Sequence, residues 1–251
     1  MASTTPINVA ELEFDNGTFD AAAFTENALS SWPSLAAVID HTLLKPDATL
    51  VQVENLCDET IRYRFACAMI NPVWASTAVN LLSGTGIPVG VVIGFPLGAS
   101  LVSTLRHEAA SLTRLGVREL DMVLPIGHLK SGNHQAVFHT IHATASAAHD
   151  HGAILKVILE TCLLTVEEKL RAAEIAIQAG TDFLKTSTGF STGGATEADV
   201  ALLRGVAGAR SGVKASGGIR TLADVRTMLE AGANRIGASA SVAIVRELGA
   251  D

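Results

Sequence analysis

Three lysines sit inside apolar, strand-like stretches: Lys156 in Ile154-Leu-Lys-Val-Ile-Leu159, Lys185 in Asp182-Phe-Leu-Lys-Thr-Ser-Thr-Gly189 and Lys214 in Ser211-Gly-Val-Lys-Ala-Ser-Gly-Gly218. Burial disfavours the ammonium form, lowers the pKa and frees an amine to attack a carbonyl. A lone strand lysine is ordinarily an edge residue or one that snorkels its head to water. Three in successive segments point instead to Schiff-base chemistry, although residue type alone does not choose the nucleophile among them. Polar residues close other strand-like segments: Asp40-His41, Asn71, Asp121, Glu160 and Ser239. Asp and Lys within apolar strands cost several kcal/mol, by order of magnitude, unless they pair. Pairing across a closed sheet is the expected answer. Glycines group beside the last two lysines, with Gly189, Gly217, Gly218 and Gly237 followed by Ser239. Their exposed backbone N–H groups make an anion site and predict a phosphorylated substrate.

The elements that must position these groups alternate from Leu35 onward, short apolar segments followed by longer helical patterns at roughly thirty-residue spacing or less. Strands are predicted at 37–41, 66–70, 88–93, 118–123, 154–159, 182–186, 212–215 and 234–237. Helices are predicted near 49–62, 73–83, 101–115, 134–150, 166–179, 196–209, 222–231 and 240–248. Eight units suggest an α/β fold closed into a (β/α)8 barrel over 35–251, with a short N-terminal helical extension over 1–34. A doubly wound open sheet is the alternative, but no G-x-G-x-x-G follows the first strand. Within the extension, Asp20 should start a helix over 20–31 that Trp32-Pro33 ends, the remainder being partly disordered.

With 251 residues, 48% apolar, the chain describes one ample domain. The formal charge of −7 argues against nucleic-acid or anionic-membrane partners, and no apolar run reaches membrane-span length. Cys57, Cys67 and Cys162, odd in number and without metal-ligand spacing, fit a reducing compartment, and Cys67 and Cys162 are read as buried inert thiols. The first thirty-odd residues carry acidic groups but no lysine or arginine, unlike an export signal, so the expected location is cytoplasmic. His128, His134, His139, His142, His149 and His151 cluster around the fourth helix, away from strand ends, and no metal or cofactor is expected. His41 is read as a hydrogen-bonding structural residue.

Taken together, Ile39-Asp-His-Thr-Leu43, Asn71-Pro72, Gly94-Phe-Pro-Leu-Gly98, Glu119-Leu-Asp-Met-Val123, Leu155-Lys-Val-Ile-Leu-Glu-Thr161, Phe183-Leu-Lys-Thr-Ser-Thr-Gly-Phe190, Val213-Lys-Ala-Ser-Gly-Gly-Ile-Arg220 and Arg235-Ile-Gly-Ala-Ser239 resemble, in order, the motifs of deoxyribose-phosphate aldolases. The likeness covers about 35–248. It implies a metal-free class I aldolase that reversibly splits 2-deoxy-D-ribose 5-phosphate into acetaldehyde and D-glyceraldehyde 3-phosphate. By the same resemblance Lys185 is the Schiff-base nucleophile, Lys214 its electrostatic partner, and Asp121 the group that moves protons through water. Lys156 and Asp40 join that network. Thr186 is expected at a substrate hydroxyl or at local backbone, and Gly189, Gly217, Gly218, Gly237 and Ser239 at the phosphate. The partners implied are small sugar-phosphate and aldehyde substrates, with a homodimer as the expected assembly.

Other readings are a different Schiff-base sugar-phosphate enzyme, such as a transaldolase-like transferase, and a non-catalytic sugar-phosphate binder. Three departures from the family pattern also carry expectations. Met69 stands where many relatives have a cysteine, which should improve survival in concentrated acetaldehyde. Ala240 replaces a second serine, so phosphate discrimination should weaken. No tyrosine follows Tyr63, which puts a tyrosine-assisted proton exchange in doubt.

Overall fold

A computed structural model of the chain describes residues 18–251. Its parallel strands are β1 (Ile39–Leu43), β2 (Cys67–Ile70), β3 (Val89–Ile93), β4 (Glu119–Val123), β5 (Ile154–Ile158), β6 (Phe183–Lys185), β7 (Gly212–Ser216) and β8 (Arg235–Ala238). They pair in chain order and β8 returns to β1, closing the barrel. Parallel strands covered on both faces bury every residue of β2, β3 and β4, which is why β2 and β3 read as nearly unbroken apolar runs.

Period-two alternation divides each strand between two surroundings. Leu120, Leu155, Leu184, Val213 and Ile236 join the large apolar layer beneath the helices, whereas the inner space holds a small cluster of Leu44, Cys67, Met69, Val92 and Phe95. The interior also holds the charged side chains of Asp40, Glu119, Asp121, Lys156, Lys185, Lys214 and Arg235.

Helices α3 (Leu50–Tyr63), α4 (Ala75–Leu81), α5 (Val102–Arg114), α7 (His134–His149), α8 (Val166–Gln178), α9 (Glu197–Ala207), α10 (Leu222–Glu230) and α11 (Ser241–Glu247) form the outer ring expected from periodicity. Threonines cap several: Thr165 and Thr221 each begin a reciprocal capping box, with Glu168 and Asp224 respectively. A short α6 (Ile126–Lys130) after β4 and a 3₁₀ turn at Thr161–Leu163 join the expected elements, and the start of the helix predicted over 73–83 is a 3₁₀ turn, Pro72–Trp74.

Asp20 caps α1 (Ala21–Ala28) as expected, its carboxylate accepting from the Ala23 amide. Trp32-Pro33, in contrast, opens a second helix, α2 (Trp32–Ala36), capped by Ser31. Proline's fixed φ and missing N–H suit a first helical turn, where no amide partner is needed. α1 lies against α10 and α2 against α11, and the Arg204 guanidinium covers the Phe19 ring at 4.0 Å. The extension expected over 1–34 lies outside the described residues for 1–17. Among the described residues no helix is long and apolar enough to cross a membrane.

Candidate active site

Strand pairing sets the lysines side by side. Lys185 and Lys214 are register partners on β6 and β7, and Asp121 and Lys156 are partners on β4 and β5. Asp121 joins the set: its Oδ2 accepts from Lys185 Nζ at 2.8 Å and Lys214 Nζ at 2.7 Å, its Oδ1 from Lys156 Nζ at 2.9 Å. Asp40 accepts from Lys214 and, through Oδ1, from Arg235 at 2.7 Å, with Lys156 at 3.4 Å. Glu119 pairs with Lys156 at 2.5 Å and Arg235 at 3.5 Å.

Asp40 and Asp121 were expected at strand ends, but β1 and β4 each run on beyond them, and both carboxylates are fully buried. Ladder pairing with β2 and β5 extends through Leu43 and Val123, drawing the two carboxylates into the barrel beneath Lys185, which does end its strand. Arg235 and Glu119, absent from the sequence-derived site, complete the floor. The available signal was period two: Glu119 is two residues before Asp121, and Arg235 two before Gly237.

Four cations thus face three carboxylates. Lys156 touches three carboxylates, Lys214 two and Lys185 one. Burial alone would raise the Asp121 pKa, but Lys156, Lys185 and Lys214 outweigh it and hold the carboxyl well below its ordinary value. Burial would likewise lower Lys156, yet Asp121, Asp40 and Glu119 drive it well above the usual lysine range. For Lys185 the balance reverses: burial lowers its pKa most, Asp121 opposes and Lys214 adds to the lowering, leaving it at about 8. Lys185, the lysine with a single carboxylate partner, thus releases its proton at about pH 8, and its deprotonation leaves three cations facing three carboxylates.

Lys185 is also the lysine that borders open space. A cavity of about 290 Å³ is lined by Lys185, Gly189, Gly217, Gly218, Gly237 and Ser239, joined by Thr188, Lys45 and Arg220. Gly189, Gly217 and Gly218 take φ near +84° to +88°, a region that side chains rarely adopt. A Cβ on Gly237 would come within 2.9 Å of Lys214 Cε, so this glycine gives the lysine its room. Lys45 and Arg220 bring two exposed cations to the cavity wall. Lying on loops after β1 and β7, they gave no periodic signal and were missed.

Thr186 departs from the substrate-hydroxyl expectation and follows the backbone one. Its hydroxyl donates to the Ser216 carbonyl at 3.1 Å and accepts the Ser216 amide at 3.2 Å, stitching β6 to β7.

His41 points out of the barrel, its Nε2 2.8 Å from Glu59 and its ring 4.9 Å from that of Phe65. Cys67 is buried, and burial, Glu119 and Asp40 push its thiol well above the ordinary value. Asp40, Cys67 and Glu119 approach one another closely enough to resemble a metal ligand set, but the thiol stays protonated and both carboxylates are engaged by Lys156 and Arg235. Cys162 corrects the expectation of a buried thiol: it is exposed on the 3₁₀ turn after β5, because that turn carries the chain out of the barrel wall.

Residues 34–247 match the model of the DeoC/LacD family of aldolases. A deoxyribose-phosphate aldolase of Listeria innocua is 53% identical over 212 residues, covering 84% of this chain and 95% of its own. One of a Thermoanaerobacter species is 52% identical over 215 residues, covering 85% and 96%. The tetrameric deoxyribose phosphate aldolase of Aeropyrum pernix superposes with a TM-score of 0.84 at 35% identity, over 91% of this chain and 96% of that one.

Proposed function

The chain belongs to the DeoC/LacD family of aldolases, and from that membership we propose that it reversibly cleaves 2-deoxy-D-ribose 5-phosphate to acetaldehyde and D-glyceraldehyde 3-phosphate through an imine on Lys185. One observation carries the residue assignment: Asp121 Oδ2 is shared between Lys185, which lines the glycine-rich cavity, and the wholly buried Lys214.

Lys185 Nζ attacks C1 of the open-chain sugar, and loss of water gives an iminium. The C2–C3 bonding electrons flow toward that nitrogen while the C3 hydroxyl loses its proton, releasing glyceraldehyde 3-phosphate and leaving an enamine. Protonation at C2 and hydrolysis then release acetaldehyde and the free amine. Asp121 exchanges these protons through an intervening water. Lys214 opposes protonation of Lys185, while Lys156 and Asp40 hold Asp121 and Lys214 in place. Gly189, Gly217, Gly218, Gly237 and Ser239 receive the phosphate, with Lys45 and Arg220 neutralising it from the loops. Phosphate binding orients the reacting end.

The substrates are small sugar phosphates and aldehydes, and the three free cysteines support a cytoplasmic setting. For the assembly we propose a homodimer, although the Aeropyrum pernix relative is a tetramer; sedimentation distinguishes the two.

Incubation with deoxyribose 5-phosphate and sodium borohydride should leave a reduced adduct at Lys185, located by peptide mass spectrometry and lost in Lys185→Ala. Binding without any adduct would overturn the imine mechanism, and an adduct at Lys214 or Lys156 would overturn the choice of nucleophile.

A further inference from the structure

Beyond the residues that border the cavity, Glu160 follows β5 with φ 56° and ψ 63°, the left-handed region that a glutamate rarely adopts. Among the described residues only Arg64 shares a positive φ without being glycine, and it merely ends α3. Glu160 is 2% exposed. Its carboxylate accepts the Thr188 amide, 3.3 and 3.4 Å from its two oxygens, and also the Thr188 hydroxyl. Thr188 Oγ in turn accepts the Phe190 amide at 3.0 Å. One carboxylate therefore ties both ends of the turn Thr188-Gly189-Phe190.

That turn is packed backbone to backbone. Gly189 Cα and Gly194 Cα lie 3.5 and 3.1 Å from the position a Cβ would take on Gly217, and the Ala195 amide donates to the Gly217 carbonyl. The left-handed backbone is what aims the Glu160 side chain across from β5 into this cluster, and disfavoured conformations of this kind persist where surrounding contacts hold them.

We propose that Glu160 is a positioning residue for anion recognition: it fixes the turn that presents Gly189 to the phosphate and, through the glycine packing, the neighbouring Gly217. The inference rests on the glycine cavity being the phosphate site, as read above. Glu160 contacts no reacting atom, so its effect falls on binding of the phosphoryl end.

Inorganic phosphate binding, measured by calorimetry on the full chain and on Glu160→Gln, tests this directly. Affinity should fall about tenfold, since the amide replaces the charged acceptor by a neutral one and trades one of the two oxygens that face the Thr188 N–H for an NH2 donor. Thr188→Val, which deletes the same hydroxyl, should reproduce the loss if Glu160→Gln does not fold, and Thr188→Ser should restore binding. In kinetics, KM for deoxyribose 5-phosphate should rise about tenfold with kcat changed less than threefold, while kcat/KM for free deoxyribose changes less than twofold. Unchanged phosphate affinity, or equal losses on phosphorylated and free sugar, would overturn the proposal. A wild-type chain that binds phosphate but does not cleave deoxyribose 5-phosphate would overturn the assigned reaction while leaving the Glu160 comparison decisive.

Discussion

Replacing Asp121 by asparagine removes the one carboxylate shared by all three lysines while keeping its shape. In the intact chain Lys185 stands at about 8: burial lowers it most, Asp121 resists and Lys214 adds to the lowering. The substitution deletes the resisting charge and leaves the repulsion, so the pKa must fall further. The Lys185 to Asp121 separation is 2.8 Å. At an effective dielectric of about 20, unit charges roughly 3 Å apart interact by about 5 kcal/mol, equivalent to about 4 pKa units. Rearrangement of Lys214 and Lys156 toward Asp40 and Glu119 offsets much of this, so a displacement of at least about one unit is expected. The assay is the initial rate of borohydride trapping with acetaldehyde against pH. Its midpoint, near pH 8 in the unaltered chain, should move to about pH 7 or lower. Turnover should nevertheless fall by about 10²- to 10⁴-fold, since the group proposed to move the C2 proton is gone. More free amine with less catalysis is the distinguishing pair of results. A midpoint that stays in place or rises in a folded Asp121→Asn protein would refute the electrostatic reasoning, and retained turnover would refute the proton-transfer role.

Arg235→Met leaves Asp40 and Glu119 short of a buried partner and should cost about 3 to 5 kcal/mol, lowering Tm by roughly 10 °C in calorimetry; a shift under about 2 °C would mean Lys156 and Lys214 suffice. Gly237→Ala places a methyl 2.9 Å from Lys214 Cε and should lower kcat by about 10- to 10²-fold through displacement of that ammonium, measured at saturating substrate. Met69 sits in the inner apolar cluster above a Cys67 whose thiol is held protonated. Met69→Cys, two residues nearer the C-terminal end of β2 than Cys67 and its neighbouring carboxylates, should shorten the half-life in concentrated acetaldehyde severalfold, and rapid inactivation of the unaltered chain with an adduct at Cys67 would contradict this.

The barrel was legible because the face of each strand packed beneath the helices must be apolar, so eight short runs stood out between amphipathic helices and each predicted strand falls within two residues of its observed limits. Depth within the barrel was not legible. Asp40 and Asp121 looked like strand ends because the apolar run changes character there, whereas strand limits are set by ladder partners on neighbouring strands, which a single segment does not reveal. Glu160 looked like one more polar strand end. Its role depends on a left-handed backbone that no propensity favours and on a turn 28 residues away. Lys45 and Arg220 reach the cavity only because closure brings their loops over the same mouth.

The same distinction governs the lysines, which residue type left equivalent. Lys156 and Lys214 are wholly buried among three and two carboxylates, whereas Lys185 meets a single carboxylate at the strand end that borders the cavity. A buried lysine becomes a nucleophile only where its charge is under-compensated and its nitrogen is reachable. Both conditions are properties of position along the barrel axis, and they coincide at Lys185.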